Sequence, residues 1–358
     1  MCYNSLNLNT LECVMKKKRI LGLMLLAPLA LLSACGGGSS LTYSANWNKI
    51  TSDRTVEGTA ETLEYDITFT LPTNVEDMFY YVMYEGGTYV TKLEGALFEF
   101  NDGTKEYVYH LTQEWNIRGH YVYENKPGET FTDTMTSEIW FHEVDAILRP
   151  IQSIKTVYST SPVLSPSEEE ICKVYNFRRT VSYDTMEAPK ATLTKAFIKT
   201  DDLTTDEDND NAPVEVKIKD KDRFLDNEQI LFAFRGLDMD TAESFRTINP
   251  QNDKDVPAAI LETPSATTVL LENFTINGKL QGKDENEDGD YAETIDAYRV
   301  RFGYKTNPSG LARTAYYAKK VSASDNTYRN ALLRFEDPLT NNFGKLVYTL
   351  KSATFNEK

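Results

Sequence analysis

Apolar and polar residues alternate along much of the chain, which is the period-2 pattern of β-strands with one buried face. The clearest run has apolar side chains at every second position: Leu63, Tyr65, Ile67, Phe69 and Leu71. A run near the carboxyl end has the same period at Tyr298, Val300, Phe302 and Tyr304. Residues typical of turns separate such runs at 85–87, 101–103, 125–128 and 307–310. Because short connections favour antiparallel hairpins, the pattern predicts an all-β protein built from antiparallel strands.

Helical patterns are scarce in this sequence. Residues 240–243 and 167–170 have the form of capping boxes, each of which predicts one or two helical turns. We therefore expect only a few short helices. The strands should form either one large, curved, half-barrel-like sheet or two β-rich domains.

The three histidines, His110, His120 and His142, all lie in the first half of the chain. Residues 105–115 and 120–125 predict a hairpin that turns at 116–119, and in that register His110 and His120 face opposite sides of the sheet. We therefore expect three separate strand histidines rather than a zinc site.

The clearest change in composition is the acidic segment 200–213, which ends in Pro213 and predicts a loop or linker. A chain of 358 residues has room for about two domains of ordinary size or one large β unit. We expect a β-rich domain over 41–199, and over 214–358 either a second one or a continuation of the same sheet.

The amino-terminal region combines a basic cluster, Lys16-Lys17-Lys18-Arg19, with an apolar run over 20–32 and a small-residue cleavage site. These are the three parts of a secretory signal peptide. The apolar run is interrupted by Pro28 and is shorter than the roughly 20 residues that a membrane-spanning helix needs.

Leu32-Ser33-Ala34-Cys35 resembles the lipobox of bacterial lipoproteins. The resemblance implies that Cys35 becomes the first mature residue and carries a diacylglyceryl group, with acyl chains such as palmitate. We expect translation to start at Met15, residues 1–34 to be removed as the signal peptide, and residues 35–40 to form a flexible Gly/Ser tether. The protein would then be lipid-anchored to a cell membrane or outer membrane, on its extracytoplasmic side.

The charge of the chain restricts its partners. The net charge is −16, and removal of a leader with four basic residues and one acidic residue leaves about −19. This charge argues against nucleic-acid binding and against electrostatic docking onto anionic lipid. With Cys2 and Cys13 in the leader and Cys35 lipidated, Cys172 has no disulfide partner, and we expect it to be a small buried hydrophobe.

Residues 284–290 match the first seven positions of a calcium loop, D-x-N-x-D-G-x. The twelfth position is Ile295 instead of glutamate, and the flanking sequences predict strands, so an EF-hand is disfavoured. We expect a solvated acidic hairpin tip. The alternative is a calcium-binding β-loop with these ligands: Asp284, Asn286, Asp288, Asp290 and Glu293.

Residues 207–213 resemble the calcium linker of cadherins, D-x-N-D-N-x-P, with Glu207 in place of the first aspartate. The companion acidic motifs of that family are missing upstream. The resemblance implies a structural calcium site rather than descent, with these ligands: Asp208, Asn209, Asp210 and Asn211. Calcium is the one cofactor that the sequence suggests.

The aromatic residues give the main indication of function. There are 21 tyrosines, and in the run over 79–84 both faces of the strand are apolar or aromatic. Such a strand is either covered on both sides or belongs to a curved sheet that binds an apolar or glycan ligand on its concave face. A wide, antiparallel, Tyr-rich sheet tethered by lipid resembles the half-barrel folds of envelope lipoproteins that carry lipids or other lipoproteins.

The sequence contains no nucleophile elbow, P-loop, dinucleotide fingerprint or H-E-x-x-H motif. We therefore expect binding rather than catalysis. The alternatives are a cell-surface adhesin or structural envelope module with a protein or polysaccharide partner, and a hydrolase with scattered catalytic carboxylates.

Overall fold

The computed structural model describes these parts of the chain: 58–144, 147–163, 166–167, 169–184, 189–198, 212–250, 252–284, 291–305, 312–319, 327–339 and 342–356. All of them belong to one compact unit, Ser40–Lys358. Cys35, residues 208–211, and Asn286, Asp288 and Asp290 lie outside the described residues. The lipid and calcium sites that the sequence predicts there stay predictions.

Strands dominate the described residues, which confirms the all-β prediction. The first ten are β1 (Gly58–Thr70), β2 (Tyr80–Glu99), β3 (Lys105–Tyr123), β4 (Lys126–Val144), β5 (Ile147–Tyr158), β6 (Thr160–Pro162), β7 (Cys172–Val174), β8 (Phe177–Asp184), β9 (Lys190–Phe197) and β10 (Val214–Lys217). The next ten are β11 (Ser244–Asn249), β12 (Lys254–Ile260), β13 (Ser265–Glu272), β14 (Thr275–Ile276), β15 (Lys279–Leu280), β16 (Lys283–Asp284), β17 (Tyr291–Tyr304), β18 (Arg313–Ala318), β19 (Leu332–Pro338) and β20 (Lys345–Phe355).

Helices are few and short among the described residues, as the sequence predicts. They are the 3₁₀ turns Val75–Asp77, Lys221–Arg223, Asn227–Gln229 and Phe234–Gly236, and the α-helix α1 (Ile230–Ala233). None of the helices in the described residues is both long and apolar enough to cross a membrane.

Eighteen of these twenty strands form one large, mainly antiparallel sheet that does not close on itself, and β6 and β7 form a separate two-stranded sheet. One half follows the chain order through β2, β3, β4, β5, β8, β9 and β10. The other half runs from β20 through β19, β18 and β17 to β12 and β11. β1 joins the halves because it pairs with β2 on one side and with β20 on the other.

The sheet pairing also continues across the acidic segment at which the sequence suggests a boundary. β9 ends before that segment and β10 begins after it, and the two strands pair with Val214 opposite Leu193. The segment therefore connects neighbouring strands of one sheet.

Two turn predictions in the first half are wrong. Residues 85–87 lie inside β2, and residues 116–119 lie inside β3, so the predicted hairpin is one strand of 19 residues. A register shift between Tyr84 and Gly86 marks a β-bulge, and a Cβ atom on Gly87 would lie 2.2 Å from the carbonyl oxygen of Asn116. These glycines thus permit a bulge and a close approach of two backbones rather than a chain reversal.

No helix begins at either predicted capping box in the described residues, although at 167–170 the Ser167 side chain does accept a hydrogen bond from the backbone N–H of Glu170 at 3.2 Å. At 240–243 the chain turns directly into β11, and Arg223 holds Glu243 through an ion pair of 2.8 Å. The true capping box is at Asp226, whose side chain accepts a hydrogen bond from the backbone N–H of Glu228 at 2.8 Å. The helical turns that follow have no amphipathic pattern because each of their residues is buried or partly buried.

These turns, residues 227–236, form what we call the central segment. It packs against the inner face of the curved sheet, where Phe232 contacts Phe141 of β4 and Phe234 contacts Phe302 of β17. Tyr317 of β18 donates a hydrogen bond to the carbonyl oxygen of Leu231 at 2.9 Å. The segment therefore fills much of the space inside the curve of the sheet.

Candidate functional site

Beside the central segment, the inner face of the sheet encloses a cavity of about 490 Å³ that is partly open to solvent. Asn227, Glu228, Ile230 and Leu231 of the central segment form one wall, and strands from both halves of the sheet form the rest. Cavities that bind small ligands in proteins usually measure roughly 300–1,000 Å³ and are lined mainly by apolar and aromatic side chains. The cavity is the strongest candidate for a functional site in the described residues.

Aromatic rings make up much of the lining. One half of the sheet contributes Tyr84, Tyr89 and Trp115, and the other half contributes Phe302, Phe335 and Tyr348. The indole N–H of Trp115 donates a hydrogen bond to the hydroxyl of Tyr348 at 3.0 Å. Burial raises the pKa of Tyr348, so its hydroxyl stays protonated and neutral at physiological pH. The aromatic lining is therefore uncharged.

Hydrogen bonds from the sheet fix the start of the central segment. The amide of Gln113 donates to the carbonyl oxygen of Glu228 at 2.7 Å and accepts from the hydroxyl of Tyr89 at 2.5 Å. Lys155 of β5 forms an ion pair of 3.2 Å with the Glu228 carboxylate. Gln113 and Lys155 both line the cavity as well, so contacts inside the cavity fix the position of Glu228 and of the wall to which it belongs.

A buried carboxylate, Asp226, fixes the same turn on the side that faces away from the cavity. It accepts hydrogen bonds from the hydroxyls of Ser153, at 2.8 Å, and Tyr183. Burial, together with the charge of nearby Glu228, raises the pKa of Asp226. Asp226 does not line the cavity, and its three hydrogen bonds indicate a structural role.

Three cations stand side by side on the inner face of one half of the sheet. Lys155 of β5 lies directly opposite Arg179 of β8, and Arg179 lies directly opposite Lys195 of β9. All three line the cavity. We call these residues the cationic row.

A further ion pair in the lining belongs to the other half of the sheet. Arg313 of β18 and Asp337 of β19 lie 2.8 Å apart, and the Asp337 carboxylate raises the pKa of the guanidinium. The two carboxylates among the described lining residues, Asp337 and Glu228, are therefore both paired with cations. This arrangement offers charged and apolar contacts to a ligand.

The sequence-predicted residues within the described parts of the chain lie elsewhere. Asp284 ends β16 opposite Tyr291 of β17, so strands flank residues 285–290, as the sequence predicts. The carboxylate of Glu293 accepts a hydrogen bond from the hydroxyl of Tyr328 at 2.5 Å. Within the described residues, no group of three or more His, Cys, Asp or Glu side chains could hold a metal ion.

The histidines lie on the outer face of β3 and β4, each beside a carboxylate. The prediction that His110 and His120 face opposite sides is wrong, because both belong to β3 and are an even number of residues apart. His110 contacts Glu94 at 3.0 Å and stacks on Trp140, with ring centroids 4.5 Å apart. His120 lies 3.5 Å from the carboxylate of Glu85, and His142 lies 3.6 Å from that of Glu106.

The free cysteine, Cys172, lies in a strand as predicted, but its side chain is only half-buried. Burial still raises the pKa of its thiol, so the thiol is protonated at neutral pH.

Sequence reasoning missed both the cationic row and the central segment. A signal for the row is present in β5, where Lys155 takes the place of an apolar residue between Ser153 and Val157 on the buried face. The partners of Lys155 could not be found in the same way, because they belong to strands whose pairing only the fold reveals.

No family model matches the chain, and no curated protein matches it. Among solved structures, the chain is similar to a β-barrel-like protein with a domain of unknown function from Brucella abortus, at 9% sequence identity and a TM-score of 0.39. That match covers 84% of this chain and 100% of the other.

Proposed function

We propose that the protein is a lipid-anchored extracytoplasmic binding protein that holds an apolar ligand in the cavity beside the central segment. The observation that carries the proposal is the cavity itself, with about 490 Å³ of space and an aromatic lining drawn from both halves of the sheet. Burial of apolar ligand surface contributes about 25 cal/mol per Å² before the costs of binding are subtracted.

The lining favours an apolar ligand over a glycan. A sugar needs many hydrogen-bonding partners, yet the hydroxyl of Tyr89 already donates to Gln113, and that of Tyr348 accepts from Trp115. The apolar faces and edges of the rings remain available for contact with a ligand, and such surfaces bind hydrocarbon groups well. We therefore place the apolar ligand first and a glycan second.

The proposed location rests on the sequence of the leader. The lipobox would give Cys35 its acyl chains, and the Gly/Ser tether would leave the acidic body free of the membrane surface. Two or more acyl chains anchor a protein stably, whereas a single chain binds reversibly. The membrane is then a partner through the lipid, with no helix required.

A cell-surface adhesin or structural envelope module is the second candidate, supported by one observation. The outer face of β2, β3 and β4 carries a cluster of partly exposed rings: Phe98, Phe100, His110, Trp140 and His142. Aromatic residues are enriched at protein interfaces and could also contact a polysaccharide. This surface needs no cavity, so the two candidates can be separated experimentally.

Native mass spectrometry of the protein, purified without detergent, tests the proposal. We expect additional mass that organic solvent removes and that the Val157→Trp variant lacks, because Val157 lines the cavity. Thr156→Trp is the matched control, since neighbouring strand residues face opposite sides of the sheet. Additional mass with the composition of a sugar would favour a glycan ligand, and protein mass alone in every sample would favour the second candidate.

A further inference from the structure

We propose that the ligand of the cavity is an amphipathic anion whose oxyanion head binds the cationic row Lys155–Arg179–Lys195 while its apolar part lies among the aromatic rings. The inference rests on the proposed function, because it assigns the chemical class of the ligand of that same cavity.

The first argument is the register of the three strands. Lys155, Arg179 and Lys195 are directly opposite one another across β5, β8 and β9, and such pairs have Cβ atoms about 4.5–5.5 Å apart. Like charges in this position destabilise a sheet. A chain with a net charge of −16 nevertheless places three cations in one row. An anion on the row would relieve their repulsion.

The second argument is that the row has too few carboxylates of its own. Glu228 pairs with Lys155 at 3.2 Å, and Asp253 pairs with Arg179 at 3.3 Å. Lys195 has no carboxylate within ion-pair distance among the described residues. Its ammonium group instead donates to the Tyr175 hydroxyl and lies over three rings, 4.4 Å from the Phe177 centroid.

The third argument is an unused donor in the middle of the row. The Arg179 side chain is more than nine-tenths buried, and within the described residues its Nε–H has no hydrogen-bond acceptor. Buried donors without a partner are rare, because each costs about 1–3 kcal/mol. An oxyanion on the row would supply the acceptor, and an arginine fork suits carboxylate and phosphate oxygens.

Calorimetric titration of the full chain tests whether the ligand needs a charged head, an apolar chain or both, and whether the head is a carboxylate or a phosphate. The four probes are decanoate, decyl phosphate, 1-decanol and inorganic phosphate. We expect at least one of the two charged amphiphiles to bind about tenfold or more tightly than decanol, since a hydrogen bond to a charged group contributes about 1.5–3 kcal/mol. We expect inorganic phosphate to bind much more weakly than either charged amphiphile, because it lacks the chain.

Two variants test the row itself. Lys195→Gln should weaken the binding of the preferred anion about tenfold and that of decanol much less, and Arg179→Gln should show the same difference between the two ligands. Arg178→Gln is the matched control, because Arg178 is exposed on the opposite face of β8. Lys195 has no carboxylate partner among the described residues, so its variant should fold normally, and an unchanged thermal unfolding temperature would verify this.

Some outcomes would overturn the assignment. Equal affinities for decanol and both charged amphiphiles, unaffected by Lys195→Gln, would show that the head does not use the row, although the cavity still binds apolar ligands. Binding of inorganic phosphate as tight as that of decyl phosphate would reveal a site for free anions instead of amphiphiles. Failure of all amphiphiles to bind would refute the proposed function as well.

Discussion

Arg235 and Glu61 form a bidentate ion pair that joins the central segment to β1, with N–O distances of 2.5 and 2.9 Å. Both side chains are more than nine-tenths buried. Arg235 also donates a hydrogen bond to the carbonyl oxygen of Arg329 at 2.8 Å. The central segment forms a wall of the cavity, so this ion pair helps to fix the shape of the proposed binding site.

Removal of one partner of this pair should destabilise the protein strongly. We expect Glu61→Gln to lower the free energy of unfolding by about 3–5 kcal/mol, because it leaves the buried Arg235 charge without its counterion. Glu99→Gln is the control: it breaks an exposed pair with Lys105 and should cost less than about 1 kcal/mol. Chemical denaturation measures both effects, and equal costs for the two variants would contradict this interpretation.

The close approach of β2 and β3 at Gly87 gives a second prediction. Gly87→Ala should lower the free energy of unfolding by about 1–3 kcal/mol, because the new Cβ would lie 2.2 Å from the carbonyl oxygen of Asn116. Gly303→Ala in β17 is the matched control, since its Cβ would meet the nearest side-chain atom at an ordinary 3.6 Å. Thermal unfolding of both variants decides the matter, and a neutral Gly87→Ala would show that the two strands can separate there without cost.

Stability should depend on pH through a buried aspartate. Burial raises the pKa of Asp133 from 3.8 to about 6, although its carboxylate accepts hydrogen bonds from Thr160. The folded state therefore holds this proton more tightly than the unfolded state does. This group consequently makes the free energy of unfolding fall as the pH rises from about 4 to about 6.

Asp133→Asn should remove that contribution, about 3 kcal/mol, while keeping an acceptor for the Thr160 N–H. The measurement is the difference in unfolding free energy between variant and wild type across this pH range. Other titrating groups cancel in the difference. A constant difference from pH 4 to pH 7 would show that Asp133 titrates normally in the folded state.

The proposed anchoring predicts the behaviour of a cysteine variant in a bacterial host. Cys35→Ser should abolish incorporation of labelled palmitate and move the protein from the membrane fraction to the soluble fraction, because Cys35 is the proposed site of acylation. Cys172→Ser should retain both the label and the membrane location. Labelling that persists in Cys35→Ser would contradict the lipobox assignment.

The sequence predicts the strand class well because alternation depends only on each strand having one buried face. It fails at residues 85–87 and 116–119, where glycines serve a bulge and a close approach inside long strands rather than turns. It also misses the central segment, because Ile230 and its neighbours are all buried or partly buried and show no helical period. Both 226–229 and 240–243 have the form of a capping box, and a helical turn follows only the one at Asp226.

The cavity could be predicted only in outline. The abundance of tyrosine suggests an aromatic sheet face, and Tyr84 from the aromatic run does line the cavity. The cationic row depends on a register that brings together residues up to 40 positions apart, such as Lys155 and Lys195. No local pattern contains that information.

Binding of 1-decanol to the wild-type protein, Val157→Trp and Thr156→Trp tests the central claim most directly, because decanol requires only an apolar cavity. Calorimetric titration should show binding to the wild type and to Thr156→Trp, with at least a tenfold loss for Val157→Trp, whose indole would occupy the ligand space. Equal binding to all three proteins, or to none of them, would contradict the proposal that this cavity holds the ligand.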